Sequence, residues 1–209
     1  MYWLDIMISM VNLEAPTRCG KGDKLNAELK VIEEPKPIRL DLGCGKNKRK
    51  DGEWIGVDAI KFDEVDIVQD LRKKWPWEDD SVDEVHCSHF LEHLDGTERV
   101  AFFNELCRVM KKGAKATIIT PHWSHERAYG DPTHKFPPVC SWTYFYLEKS
   151  WRDANAPHSG YECDFSYTIM GVHDPNDQWV AFRNQETKYV MMSRNINTVT
   201  DMIATITKK

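Results

Sequence analysis

The segment that most constrains the fold is IRLDLGCGKNKRKDGEWIGVD, residues 38–58. It places a short apolar run before two closely spaced glycines. A strand that ends at Leu42 delivers Gly43 and Gly45 to the carboxyl edge of a sheet, where residues without a Cβ let a ligand approach the backbone closely. The segment therefore predicts a nucleotide-type crevice at this edge.

The second apolar run of the segment, WIGVD, ends at Asp58. A carboxylate at the end of the strand beside the glycine turn can accept hydrogen bonds from two ribose hydroxyls. We therefore expect Asp58 to bind a sugar.

These two runs belong to a series of short apolar runs that are spaced along the chain. They are rich in Val and Ile, and helical or loop segments separate them: IRLDL, WIGVD, DIVQDL, VDEVHC and ATIITP. Such a series predicts an α/β fold with a mostly parallel sheet and helices on both of its faces. Two later runs, FSYTIMGV and TDMIATIT, follow an insert and predict the strands that complete a sheet of about seven.

One helix is specified in detail by DGTERVAFFNELCRVMKKG. Asp95 and Glu98 can form a capping box at its start. Apolar residues recur at helical spacing on one face: Phe103, Leu106, Cys107 and Met110. The basic residues before Gly113 predict the end of the helix there, with the ATIITP strand following.

The composition limits the possible partners. With 209 residues, a formal net charge of -5 and a pI of about 5.9, the chain has no overall attraction for a phosphate backbone or an anionic bilayer. The six cysteines are scattered without a CxxC pair, which favours reduced thiols and a cytoplasmic location and gives no zinc knuckle. No signal peptide and no run of membrane-spanning length is found.

The chain is expected to have two parts. Residues 1–37 form an N-terminal extension in which Gly, charged residues and the pair Pro35 and Pro37 break any long element. Residues 38–209 form the main domain. Within it, residues 122–165 are an aromatic and His-rich insert without a strand pattern, which we interpret as a lid or a substrate-binding element.

The order LDLGCG, GVD, DIVQD and SVDEVHCSHFLEHL resembles the class I S-adenosylmethionine-dependent methyltransferases of the type 11 kind. The resemblance covers residues 38 to about 121 by motif. It implies a Rossmann-like methyltransferase fold, S-adenosylmethionine as the cofactor and methyl transfer as the activity.

Carried over position by position, the resemblance implies a cofactor site of eight residues: Asp41, Gly43, Cys44, Gly45, Asp58, Asp70, Leu71 and Ser88. Asp41 would organise the glycine loop and hold the methionine amino group. Asp58 would hold the ribose, and Asp70 would lie at the adenine edge.

Two other classes share parts of this pattern. Dinucleotide oxidoreductases also combine glycines with an acid, but they need GxGxxG and a regular helix for the pyrophosphate. Here Asn47 stands where many methyltransferases have a third glycine, and residues 46–53 are too short for a full helix. A cofactor-binding module without catalysis is the other alternative.

The first group of candidate catalytic residues lies in SHFLEHL. If this segment is helical, His89, Glu92 and His93 share one face. They could then act as a base or bind a divalent metal, and the quinone-biosynthesis O-methyltransferases have a similar Glu-x-x-Glu-His run, with His89 here in place of the first Glu. The alternative is an ordinary helix start in which Glu92 is solvated or caps.

The second group follows the ATIITP strand in PHWSHERAYGDPTHKFP. His122 and His134 are candidates for a base or a substrate contact, since imidazole titrates near neutral pH. The alternative is a surface loop with a turn at Asp131 and solvated histidines.

The expected methyl acceptor is a small molecule. The Asp/Asn-Pro-Pro-aromatic turn of amino-methylating DNA enzymes is absent, because the chain has CSHF at that place. The Pro-Cys pair that cytosine-carbon DNA methyltransferases have there is absent as well. An oxygen or nitrogen atom of a sugar, a nucleotide-sugar or a metabolite fits better, with nucleic acid disfavoured.

Overall fold

Seven strands form one sheet in the computed structural model, which describes residues 36–177, 180 and 183–209. The strands are β1 (Arg39–Leu42), β2 (Ile55–Asp58), β3 (Ile67–Val68), β4 (Val82–Ser88), β5 (Met110–Pro121), β6 (Phe165–Val172) and β7 (Asp201–Lys208). Their order is β3-β2-β1-β4-β5-β7-β6. Strands β1 to β5 pair in parallel, and β7 is antiparallel to β5 and β6. The predicted α/β fold with a mostly parallel sheet of about seven strands is confirmed.

The core lies on this sheet, because its central strands are short, apolar and covered. Leu40 and Leu42 of β1 and Val57 of β2 have no exposed surface. In β7 the buried residues alternate with partly exposed ones, as expected for a strand that buries one face. The central strands thereby hold the carboxyl ends of β1, β2 and β4 at one edge.

The main helix is α1 (Gly96–Val109). Its predicted capping box is confirmed: the Asp95 carboxylate accepts from the backbone N–H of Glu98 at 2.9 Å, and the Glu98 side chain accepts from the N–H of Asp95 at 3.0 Å. The other helices in the described part of the chain are shorter: a 3₁₀ helix (Leu91–His93), α2 (Arg127–Gly130), α3 (Ser141–Phe145), α4 (Lys149–Asn155) and α5 (Gln185–Arg194). None of the helices in the described part of the chain has the length and apolar character needed to cross a membrane.

The predicted end of α1 at Gly113 is wrong. The helix ends at Val109, and Met110 is already extended and paired with Val82 of β4. The register then shifts, so that Gly113, with φ +80°, lies within β5. Burial of Met110 by strand pairing prevails over helical spacing, which cannot distinguish the last turn of a helix from a directly following strand.

The connections after β1, β2 and β3 contain no helix in residues 43–54, 59–66 and 69–81. Tryptophan packing fixes the last of these connections instead. Trp75 is buried against Phe102 of α1 at 5.4 Å between ring centroids, and its indole N–H donates to the carbonyl of Leu71 at 3.0 Å. The segment after β3 is therefore held against α1 although it contains no helix.

The predicted insert, residues 122–165, contains α2, α3 and α4, and within it no strand precedes its last residue, Phe165, where β6 begins. Tyr144 from its SWTYFY stretch is fully buried in the main core. Arg99 of α1 is also buried, and its guanidinium donates to the carbonyls of Pro137 at 2.7 Å and Lys135 at 3.4 Å. The predicted N-terminal extension lies outside the described residues, except for positions 36 and 37.

Candidate functional site

Glycine is present at the two positions after β1 for different structural reasons. Gly43 has φ +67°, and an added Cβ would lie 2.7 Å from the Phe90 side chain. Gly45 has φ +51°, but an added Cβ would meet no atom within 4 Å. Gly43 is thus required by packing, whereas Gly45 leaves its space open on the side from which a ligand can approach.

Asp41 organises the loop that follows these glycines. Its carboxylate is buried, and Oδ2 accepts a hydrogen bond from the backbone N–H of Arg49 at 2.7 Å. Oδ1 lies 2.7 Å from Nδ1 of His86, which faces Asp41 across the β1–β4 pairing. Both oxygens therefore hold parts of the chain that surround the glycine turn.

Asp58, at the end of β2, is directed at the same turn. Its Oδ2 accepts from the N–H of Gly45 at 3.0 Å, and its Oδ1 accepts from the N–H of Ile60 at 2.9 Å. Each carboxylate oxygen can accept a further hydrogen bond. The predicted ribose acid and the predicted glycine path are in direct contact.

A cavity of about 310 Å³ opens at this place, and we name it the glycine-loop cavity. Its lining consists of Asp41, Gly43, Cys44, Gly45, Lys46, Asn47, His86, Ser88 and His89. Burial raises the pKa of the Cys44 thiol to about 11, and the charges of Asp41 and Asp58 add to the effect. Cys44 is therefore a neutral wall of the cavity at neutral pH.

The third predicted acid lies at the neighbouring strand end. Gln69, just after β3, donates its N–H to the carbonyl of Asp58 at 2.9 Å. Asp70 follows, and its carboxylate pairs with the guanidinium of Arg72 at 2.9 Å, a hydrogen bond that lowers the pKa of Asp70. Leu71 is buried. None of Asp58, Asp70 and Leu71 belongs to the lining of the glycine-loop cavity.

A second cavity of about 760 Å³ lies beside the first, and we name it the histidine cavity. Its lining consists of His89, Glu92, His93, Pro121, Glu126, Arg127, Gly130, Asp131, Pro132 and His134. It combines the end of β5, the 3₁₀ helix and the first part of the insert. The two cavities share His89.

His89 is held by contacts on several sides. It has φ +54°, and its N–H donates to the carbonyl of Ile119 at 2.8 Å. Its Nδ1 lies 3.2 Å from Oε1 of Glu92, and this hydrogen bond raises the pKa of the imidazole, with the charges of Glu92 and Asp201 acting in the same direction. The Glu92 carboxylate therefore stabilises the charged form of His89 relative to a free imidazole.

The expectation that His89, Glu92 and His93 share a helical face is wrong. His89 lies in the left-handed region before the 3₁₀ helix, which spans only Leu91–His93. The alternative of a solvated Glu92 is also wrong, because this residue is only 4% exposed. The segment turns directly after β4, and Glu92 is buried in it.

The two histidines predicted in the insert have different positions. His134 lines the histidine cavity, and its ring contacts that of His93 at 4.8 Å between centroids. His122 lines neither cavity. Its Nδ1 accepts from the backbone N–H of Ser124 at 3.3 Å, and burial lowers its pKa, so the neutral ring carries its proton on Nε2.

Sequence reasoning missed several residues of these cavities, and His86 and Arg127 are two of them. His86 supports Asp41, but only the strand register brings the two together. Arg127 lines the histidine cavity and pairs with Asp201 at 3.1 Å. The sequence signal for Arg127 was a basic residue within the predicted insert.

These residues fit the expected cofactor on structural grounds. Gly45, with open space around it, and the buried Asp41 line one cavity at the carboxyl edge, and the Asp58 carboxylate contacts the Gly45 N–H from outside this lining. Asp58 could hold two hydroxyls of a ribose, and Asp41 and Ser88 could contact the amino acid part. No pyrophosphate-binding helix follows the glycines in residues 46–53.

Comparisons with known proteins agree with this geometry. Residues 40–118 match a family model described as a methyltransferase domain, whereas none of the curated proteins matches the chain. A SAM dependent methyltransferase from Archaeoglobus fulgidus is 23% identical, with 83% of this chain and 86% of that chain covered and a TM-score of 0.58. A complex of the Haloferax volcanii Trm112 methyltransferase activator with a methyltransferase is 16% identical, with 82% of each chain covered and a TM-score of 0.50. At these identities the two structures show a shared fold.

Proposed function

We propose that this chain, whose residues 40–118 match a methyltransferase domain, is an S-adenosylmethionine-dependent methyltransferase and that it methylates an oxygen or nitrogen atom of a small polar molecule. The observation that carries the proposal is the position of His89, which lines both the glycine-loop cavity and the histidine cavity. Methyl transfer is a displacement that needs the acceptor in line with the sulfonium, and adjoining cavities supply this proximity and orientation.

In this proposal the glycine-loop cavity binds the cofactor, which supplies the activated methyl group. Asp58 accepts hydrogen bonds from the ribose, and Gly45 lets the cofactor approach the backbone. Asp41 and Ser88 hold the methionine end, with Gly43 and Cys44 along the path. Asp70 and Leu71 are assigned to the adenine edge because they follow β3, next to the end of β2.

The histidine cavity binds the acceptor. Charged side chains line it, among them Glu126, Arg127 and Asp131, which favours a polar acceptor such as a sugar, a nucleotide-sugar or a metabolite acid. We assign His89 and His134 to acceptor contacts because both belong to the lining. His122 is proposed as a supporting group behind the wall, since it follows the lining residue Pro121.

The experiment that tests the cofactor site is calorimetric titration of the full chain with adenosylhomocysteine. Asp58→Ala removes both ribose hydrogen bonds, and we expect its Kd to rise at least about 30-fold, or about 2 kcal/mol. Asp63→Ala is the matched control, because Asp63 is an exposed acid in the connection after β2. Unchanged affinity in Asp58→Ala would show that the ribose assignment is wrong.

The acceptor class is tested with labelled S-adenosylmethionine and fractionated cell extract. We expect adenosylhomocysteine to form with the low-molecular-weight fraction. Formation only with the macromolecular fraction would contradict a small-molecule acceptor, and cofactor binding without turnover on either fraction would favour a binding module. Binding of NADH in place of adenosylhomocysteine would favour an oxidoreductase.

A further inference from the structure

Three potential metal ligands converge in the wall of the histidine cavity. One ligand atom from each of Glu92, His93 and His134 lies within 4.8 Å of the others. Glu92 and His93 come from the 3₁₀ helix, whereas His134 comes from the insert, so the fold brings them together across two segments. Lys135, next to His134, donates its N–H to the carbonyl of Glu92 at 2.9 Å, which fixes the two segments to each other.

Glu92 gives a second, independent indication of a ligand. Its side chain is nine-tenths or more buried, at 4% residue exposure, and it belongs to the lining of the cavity. Oε1 accepts from His89, but Oε2 has no hydrogen-bond partner in the described part of the chain. A buried carboxylate oxygen without a partner is costly, and a cation beside it removes that cost.

The hydrogen bonds of His93 leave its Nε2 ready to bind a metal. Thr133 gives its only hydroxyl hydrogen to Oδ1 of Asp131 at 2.7 Å. The Thr133 oxygen, 3.0 Å from Nδ1 of His93, must therefore accept from that nitrogen. The neutral ring then has its lone pair on Nε2.

His134 is oriented in the same way. Its Nδ1 lies 3.3 Å from the carbonyl oxygen of Ala128, which can only accept a hydrogen bond. The proton of the neutral ring is therefore on Nδ1, and the lone pair is on Nε2. A histidine that donates its second N–H to a backbone carbonyl or to an outer polar group is the usual arrangement around a protein-bound metal.

We propose that Glu92, His93 and His134 bind a divalent transition-metal cation of the Zn²⁺ type, with its free coordination positions facing the histidine cavity. Two imidazoles with one carboxylate suit Zn²⁺, Co²⁺ or Fe²⁺, whereas Mg²⁺ and Ca²⁺ prefer oxygen ligands alone. Coordination at about 2.1 Å places ligand atoms roughly 3.0–3.5 Å apart, so the side chains close by about 1 Å around the cation.

The site deepens the proposed function and in this respect rests on it. A cation at this place would bind an oxygen donor of the acceptor, and it would lower the pKa of a bound hydroxyl. His134 is then a ligand, and no side-chain base is needed for the acceptor. Metal binding itself does not depend on methyl transfer, so the two can fail separately.

The test is titration of the tag-free full chain, after dialysis against chelator, with Zn²⁺ followed by calorimetry and with Co²⁺ followed by visible absorption. We expect a single equivalent bound, and at least tenfold weaker binding in His134→Ala and in Glu92→Gln. His158→Ala is the matched control, because His158 is exposed and lies outside this cavity. It should bind as the wild type does.

Equal Zn²⁺ binding in all variants, or no binding to the wild type, would overturn the proposal. Binding of Mg²⁺ as tight as that of Zn²⁺ would overturn the assigned metal class. If His134→Ala does not fold, His134→Asn and Glu92→Gln decide the outcome. Adenosylhomocysteine titration of the same variants distinguishes the two proposals: unchanged cofactor affinity with lost metal binding supports the metal site alone.

Discussion

Gly45→Ala separates the ligand-binding role of the glycine turn from its conformational role. Gly45 has φ +51°, and an added Cβ would meet no protein atom within 4 Å. The substitution therefore causes no clash in the ligand-free protein. It places a methyl group in the space where we expect the cofactor to lie against the protein backbone. A reduced affinity with little further loss of stability would identify the open space as a binding surface.

Gly113→Ala is the matched control. Gly113 also has a positive φ, +80°, and open space around an added Cβ, but it lies near the amino end of β5, at the opposite edge of the sheet. A left-handed alanine costs about 1–2 kcal/mol, and its restricted unfolded state returns about 0.4–1 kcal/mol. We therefore expect both variants to lose about 0.5–1.5 kcal/mol of unfolding free energy.

The assays are urea unfolding for stability and calorimetry with adenosylhomocysteine for affinity. We expect Gly45→Ala to raise the Kd at least about tenfold, or about 1.4 kcal/mol, while Gly113→Ala leaves it unchanged. Wild-type affinity in Gly45→Ala would refute the reasoning, because the cofactor would then not pass along this turn. Equal weakening in both variants would refute it as well, since the cause would be general strain.

Two more predictions concern buried groups. Arg99→Met removes the guanidinium that ties α1 to the carbonyls of Pro137 and Lys135, and we expect urea unfolding to show a loss of about 2–4 kcal/mol of unfolding free energy. The control is Arg39→Met, which breaks the half-exposed ion pair with Glu84 and should lose less than about 1 kcal/mol. Similar losses in both variants would contradict the role of Arg99. Cys44, whose pKa burial raises to about 11, should be alkylated slowly at pH 7 and about tenfold faster for each pH unit up to that value, as followed by peptide mass spectrometry; fast labelling at pH 7 would show that the thiol is not shielded.

Part of the fold could be predicted because its determinants are local. The capping box of α1 depends on two side chains three residues apart, and the strand at β1 depends on one apolar run before a turn. The end of α1 could not be predicted in this way. Met110 fits the helix by spacing, but its pairing with Val82, a residue far away in the chain, places it in β5.

The candidate cofactor site shows the same division. A glycine after a strand and an acid after the next strand predict that Gly45 and Asp58 face one cleft, and the structure places them 3.0 Å apart, from the Gly45 nitrogen to Oδ2 of Asp58. The contact between Asp41 and His86 could not be predicted, because it depends on which residues the β1–β4 register sets opposite each other.

The sequence by itself determined the strands, the glycine turn and the acids at the strand ends, since each depends on neighbours along the chain. Only the tertiary structure decided that His89 separates two cavities and that His134 of the insert meets Glu92 and His93. Those meetings depend on the packing of the insert on α1 through groups such as Arg99. Distances between segments that are remote in the chain are set by packing, and periodicity carries no information about them.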